Sequence, residues 1–253
     1  MSHVKEIPGR PTVVLVHGAF ADSSSWNGVI ERLQAKGVQV TAPANPLRGL
    51  TSDAAYLVGV LGQTQGPVLL VGHSYGGAVI SDAAHRASNV VGLVFVAAFA
   101  PEAGEILGQV TPTSKDAILG TALVPHQYPM ADGGTATEFV VDPVKFHDVF
   151  AADLQADQAA VLAATQRPVA DAAFSDVMGT PAWKDLPSWA VVATSDKAAG
   201  TDLVRSMAAR ARATITELDG SHVIMISQPQ AVAEVILEAV AAVALRQPVG
   251  AVG

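Results

Sequence analysis

The chain has 253 residues, 50% of them hydrophobic and 15% charged, with a formal net charge of −8. That length can bury one sizeable core, the low charge argues against intrinsic disorder, and the acidic balance offers no attraction to nucleic acid or an anionic membrane. With no cysteine there is no disulfide framework, thiol nucleophile or thiolate metal site.

The opening MSHVKEIPGR has no basic segment leading into a long apolar run, so no signal peptide is expected. Residues 13–16, 38–41, 68–71 and 91–96 are short Val- and Leu-rich runs without strict polar alternation. They read as strands covered on both faces in a mainly parallel sheet. Residues 24–35, 52–61 and 75–87 leave room for crossover helices, and Ser23 to Ser25 offer caps for the first. The apolar stretch 90–100 is too short to cross a bilayer, so a soluble cytoplasmic protein, monomer or homodimer, is the expectation.

From Pro101 the pattern changes. Residues 101–187 are rich in proline and loops, hold an alanine-rich helical stretch at 146–165 and contain no clear strand. Alternation returns with strands at 189–194 and 214–218, a helix at 202–210 and a last helix near 229–245. The expected architecture is α/β: a twisted, mainly parallel sheet flanked by helices. Residues 1–100 and 188–253 form its core, and a mostly helical insertion at 101–187 interrupts it.

The strongest local signal is VLLVGHSYGG, residues 68–77. Strand residues run through Gly-x-Ser-x-Gly into a helix, a turn that lifts Ser74 above the sheet in a strained conformation. Side chains at Gly72 or Gly76 would collide across so tight a bend. A serine hydroxyl needs a base, and the base an orienting acid. Of seven histidines, His222 is the candidate base, because it follows the strand at 214–218 and lies at a strand's carboxyl end. His17 reads as a loop brace, His73 is trapped inside the elbow, and His85 sits late on a helix surface. His126 and His147 belong to the insertion and His3 to the tail. Asp196, ending the strand at 189–194, is the candidate acid; Glu102 and Glu105 are alternatives, while Asp219 shapes a turn. Oxyanion donors are expected at the Tyr75 N–H and in His17-Gly18-Ala19-Phe20, with Ala19 preferred and Phe20 second. Phe20, Trp26, Phe99, Tyr128, Phe139, Phe146 and Trp183 are candidates for an apolar pocket. No metal or organic cofactor is expected.

Together VLVHGAF, VGHSYGG, VVATSDKAAG and ELDGSHVIMISQP resemble the α/β-hydrolase superfamily, in the family's order over nearly the whole chain. The arrangement is most similar to the small esterases grouped with plant methylesterases and hydroxynitrile lyases. The resemblance implies a Ser74–His222–Asp196 triad, an oxyanion hole at Ala19 and Tyr75, and a cap at 101–187 over a small, apolar or aromatic ester. Lyases of that group carry threonine where this chain has Gly18, and lysine where it has Val223, so the resemblance favours hydrolysis. Related dehalogenases place aspartate at the elbow, unlike Ser74. The family's Ile-Pro after the acid is absent from Asp196-Lys197-Ala198-Ala199-Gly200, which implies a reshaped loop. A cofactor-free oxygenase or perhydrolase and a non-catalytic small-ligand receptor are the rival readings of the same fold.

Overall fold

A computed structural model describes residues 10–245; the tail with His3, and part of the segment read for a signal peptide, lie outside them. The first four strands are β1 (Thr12–Val16), β2 (Val40–Thr41), β3 (Val68–His73) and β4 (Val90–Val96). The long segment after β4 carries β5 (Leu123–Pro129), β6 (Thr135–Val141) and β7 (Val169–Ala170), and β8 (Ser188–Ala193) and β9 (Thr214–Leu218) follow. Six of these form a parallel sheet in the order β2-β1-β3-β4-β8-β9.

Successive strand side chains point to opposite faces, so the apolar runs feed two cores. Val14, Val16, Leu70 and Phe95 pack on one face against α2 (Leu50–Gly62), α3 (Tyr75–His85) and α8 (Thr201–Arg210). Val13, Leu15, Leu69, Val71 and Val94 pack on the other against α1 (Asn27–Ala35) and α10 (Pro229–Ala244). Burial on both faces is why these strands lack polar alternation, and each such side chain contributes about 1.5–3 kcal/mol. Strand order reverses between β1 and β3. Their carboxyl ends therefore border the crevice where open α/β sheets bind ligands.

Some elements differ from the sequence reading. The first helix is preceded by a 3-10 turn, Ser23–Trp26, capped by Asp22 rather than a serine: Asp22 Oδ1 accepts the Ser24 N–H at 2.7 Å. Within the run 38–41 the strand itself is only Val40 and Thr41, in register with Val13 and Val14, and the Gln39 carbonyl accepts the Val13 N–H at 2.8 Å. The expected helix at 146–165 is two helices, α5 (Pro143–Phe150) and α6 (Ala156–Thr165). The segment is also not mostly helical, because β5, β6 and β7 form an antiparallel sheet in that order. The hairpin of β5 and β6 is poorly buried and so carries no apolar run. β5 holds Pro125 and Pro129, which it tolerates as an edge strand. Two short helices, α4 (Leu107–Val110) and α7 (Ala172–Ser175), complete the segment, and α9 (Ile224–Ser227) precedes α10.

Candidate active site

β3 is buried along its whole length and delivers the chain to Ser74 at φ 53°, ψ −125°, a conformation that side chains rarely adopt. Neighbours hold the strain. The Ser74 carbonyl accepts the Gly77 N–H at 2.9 Å and the Phe99 N–H at 3.1 Å, and its own N–H donates to Val96 at 3.3 Å. A Cβ at Gly72 would lie 2.6 Å from the Gly76 carbonyl oxygen, and one at Gly76 only 2.5 Å from that of Val16. Tyr75 opens α3, so its N–H has no partner within the helix and lies at the positive end of the dipole.

The ring of His222 comes from the loop after β9. Its Nδ1 donates to Asp196 Oδ2 at 2.8 Å, and both side chains are 1% exposed. The other carboxylate oxygen, Oδ1, accepts the N–H groups of Ala198 at 2.9 Å and Ala199 at 3.0 Å. The loop lacking Ile-Pro is thus wrapped around its own acid. Thr201 Oγ1 pins it further, accepting the Asp196 N–H and donating to the Ala193 carbonyl. On the histidine loop, the Ser221 hydroxyl donates to Asp153, between α5 and α6. The His73 Nε2 donates to the His222 carbonyl at 2.9 Å. Burial first, and the neighbouring His222 second, hold His73 well below the usual imidazole range, so it is a neutral brace.

The loop after β1 supplies the facing wall. His17 is wholly buried; Nδ1 donates to the Gly18 carbonyl at 2.9 Å while Nε2 accepts the Asn45 N–H at 2.9 Å. Burial lowers its pKa to about 4. Phe20 takes a positive φ of 59°. Gly18 meets Ser74 directly, since a Cβ there would lie 2.6 Å from Ser74 Cβ. The remaining histidines are elsewhere: His85 is exposed at the end of α3 and His126 on β5, and His147 Nε2 bonds the Leu154 carbonyl. The alternative acids are engaged with cations, Glu102 with Lys184 and Glu105 with Arg210, and Asp219 accepts from the Thr194 hydroxyl.

Ala19, Phe20, Ser74, Tyr75, Phe99 and His222 line one cavity, of about 30 Å³. The sequence reading named all six. It missed Thr111, Leu119, Phe150, Phe174, Ala198 and Ala199, which complete the wall; the two alanines follow Asp196 after Lys197, while the others carry no local signal. Trp26 is in the core on the α1 and α10 face, under His73. Tyr128 lies on β5 under the Arg48 guanidinium, 4.6 Å away, and Trp183 Nε1 donates to the Pro101 carbonyl. None of these three reaches the cavity. Phe146 lines a neighbouring void and Phe139 packs at the core's margin. Among the described residues no group of three or more His, Asp or Glu side chains is arranged to hold a metal ion, and no helix is long and apolar enough to cross a membrane.

A parallel sheet with a serine on a strained strand-to-helix turn, and a buried histidine–carboxylate pair on loops from neighbouring strands, defines an α/β protein with the architecture of a hydrolase. The chain belongs to the alpha/beta hydrolase family, whose model matches residues 13–235. It is similar to a pyrethroid hydrolase of Sphingobium wenxiniae, 33% identical over 100 residues. That match spans 34% of this chain and only 35% of the relative. Among solved structures, polyneuridine aldehyde esterase has a TM-score of 0.76 at 18% identity, covering 91% of this chain and 99% of its own. Tomato methylketone synthase I, complexed with 2-tridecanone, has 0.76 at 20%, covering 92% and 98%. At such identities the structural likeness is one of fold.

Proposed function

We propose that this chain is a carboxylesterase-like serine hydrolase that cleaves a small, neutral, apolar or aromatic ester through an acyl-enzyme. The observation that carries the reading is the buried His222–Asp196 pair opening onto the same cavity as Ser74. Because Nδ1 donates to Asp196, Nε2 is the basic nitrogen. It takes the Ser74 proton as Oγ attacks the ester carbonyl, and Asp196 stabilises the imidazolium. The N–H groups of Ala19 and Tyr75 hold the oxyanion. The proton passes to the departing alcohol, and water, activated by the same imidazole, releases the acid.

The wall of Phe20, Phe99, Leu119, Phe150 and Phe174 brings no fixed charge to the substrate, which supports a neutral, apolar one. The names of the pyrethroid hydrolase and the esterase above agree with this chemistry. Two positions oppose cyanide-releasing lyase chemistry. Gly18 has no room for threonine's Cβ against Ser74, and Val223, where lyases carry lysine, is buried among apolar neighbours. A void of about 30 Å³ holds one or two waters, so an ester enters by displacing the wall contributed by residues 101–187, which act as the cap. Ser74→Ala tests the reading: turnover of p-nitrophenyl esters should vanish while the melting temperature stays near wild type. Retained turnover would defeat it. Stoichiometric labelling of Ser74 by a fluorophosphonate separates the enzyme from a receptor, and peracid formation or oxygen uptake would identify the remaining rivals.

A further inference from the structure

Two buried polar residues outside the triad bear on the oxyanion donors. Asp53, in the first turn of α2, has no exposed surface, and its Oδ2 accepts the Tyr75 phenol at 2.8 Å. The Arg48 N–H donates to the same carboxylate at 3.1 Å and the Gly49 N–H at 3.5 Å. Asn45 is 3% exposed; besides its N–H on His17 Nε2, its Nδ2 donates to the His17 carbonyl at 3.1 Å. One connection, residues 45–53, therefore grips the loop bearing Ala19 with one end and the side chain of Tyr75 with the other.

The connection is itself clamped from the far side. Arg167 Nη1 donates to the Asn45 carbonyl at 2.9 Å, the Ala170 N–H to that of Leu47 at 2.9 Å, and the Thr51 N–H to Asp176 Oδ2 at 3.1 Å. Its backbone takes a left-handed conformation at Leu47 (φ 60°), costly for a residue with a Cβ, and one at Gly49 (φ 150°) that suits glycine. Burying a carboxylate against a phenol is a poor route to stability when apolar side chains of similar size would pack there. Beside a nucleophile, the same arrangement gives Tyr75 a second anchor, at the far end of its side chain.

We propose that Asn45 and Asp53 are positioning residues, which set the separation of the Ala19 and Tyr75 N–H groups and so the strength of the oxyanion hole. The proposal rests on Ser74 being the nucleophile. The test uses Tyr75→Phe and Asn45→Ala, with kcat and KM on a p-nitrophenyl ester, inhibition by phenyl trifluoromethyl ketone, and thermal melts. The ketone adds to Ser74 and sets its oxygen between the two donors. A donor that remains but is misplaced costs less than the 10²–10³ of one removed, so kcat should fall about tenfold and the ketone inhibition constant rise in parallel, with KM within about twofold. Asp53→Leu, of similar size but with no acceptor for the Tyr75 phenol, supplies the same readout should Tyr75→Phe not fold. Wild-type kcat and ketone affinity, with only the melting temperature lowered, would reduce the connection to packing and overturn the proposal. Activity that survives Ser74→Ala would instead overturn the underlying reading, and this proposal with it.

Discussion

Asp196→Asn separates the tautomer of His222 from its packing. Both carboxylate oxygens are engaged, Oδ1 by the N–H groups of Ala198 and Ala199 and Oδ2 by His222 Nδ1. The two main-chain donors dictate how a carboxamide would sit: its oxygen faces them, and its NH₂ faces the imidazole. An amide NH₂ only donates, so Nδ1 must accept, and the ring proton moves to Nε2, the atom that should receive the Ser74 proton. Flipping the amide would turn NH₂ against two N–H groups and leave them unpaired, at about 1–3 kcal/mol each. A bias of about 4 kcal/mol toward the wrong tautomer corresponds to roughly 10³-fold at 1.36 kcal/mol per tenfold. The expected loss in kcat is accordingly about 10³–10⁴. The substitution preserves volume, so the melting temperature should move by only a few degrees. Initial rates on p-nitrophenyl butyrate at neutral pH, beside a thermal melt, measure both. A variant within tenfold of wild type would refute the reasoning. So would an equal loss in Asp219→Asn, whose carboxylate is exposed and touches the Thr194 hydroxyl instead.

Stability should depend on pH through His17. Burial lowers its pKa to about 4 from 6.5, so between these values the unfolded chain binds a proton that the folded chain refuses. Stability is then full above 6.5 and falls as the pH drops toward 4, by roughly 3 kcal/mol; urea unfolding that gave a flat free energy across this window would contradict it. Gly76→Ala drives a Cβ against the Val16 carbonyl and should cost about 3 kcal/mol or more, lowering the melting temperature by about 6–12 °C. Gly59→Ala, exposed within α2 with nothing in reach of its Cβ, should stabilise by about 0.5–1 kcal/mol; equal effects at the two sites would dispose of the steric account. Phe150 stands between the cavity at Ser74 and a second void of about 20 Å³ lined by Phe20, Phe146, Leu162 and Val223. Phe150→Ala should join them and raise the ratio of kcat/KM for octanoate over acetate esters, at a cost of about 3–5 kcal/mol in stability. An unchanged ratio would show that the voids do not serve one substrate.

What the amino-acid order determined by itself is local or periodic. The doubly covered strands are legible because a strand buried on both faces rarely tolerates polar residues, and Val68–His73 has none before its last residue, His73. The elbow is legible because its serine and glycines fall within five residues; Gly72 leaves space for the backbone of Gly76, while the Val16 carbonyl that Gly76 admits comes from β1. Asp196 and His222 stand out for a similar reason, each in a loop just beyond a readable strand. The hairpin of β5 and β6 escapes notice because β5 is largely exposed and β6 mostly only half-buried, so no strict apolar pattern is required of it. Tertiary structure alone decided which aromatics meet at Ser74. Phe150 and Phe174 arrive there from distant stretches of sequence, whereas Trp26, equally aromatic and closer in sequence to the β1 loop, is turned to the opposite face of the sheet. It likewise decided that Asn45 grips His17 and Asp53 grips Tyr75. Such contacts depend on how helices and loops settle over the sheet, and neighbours in space need leave no periodicity in the chain that connects them.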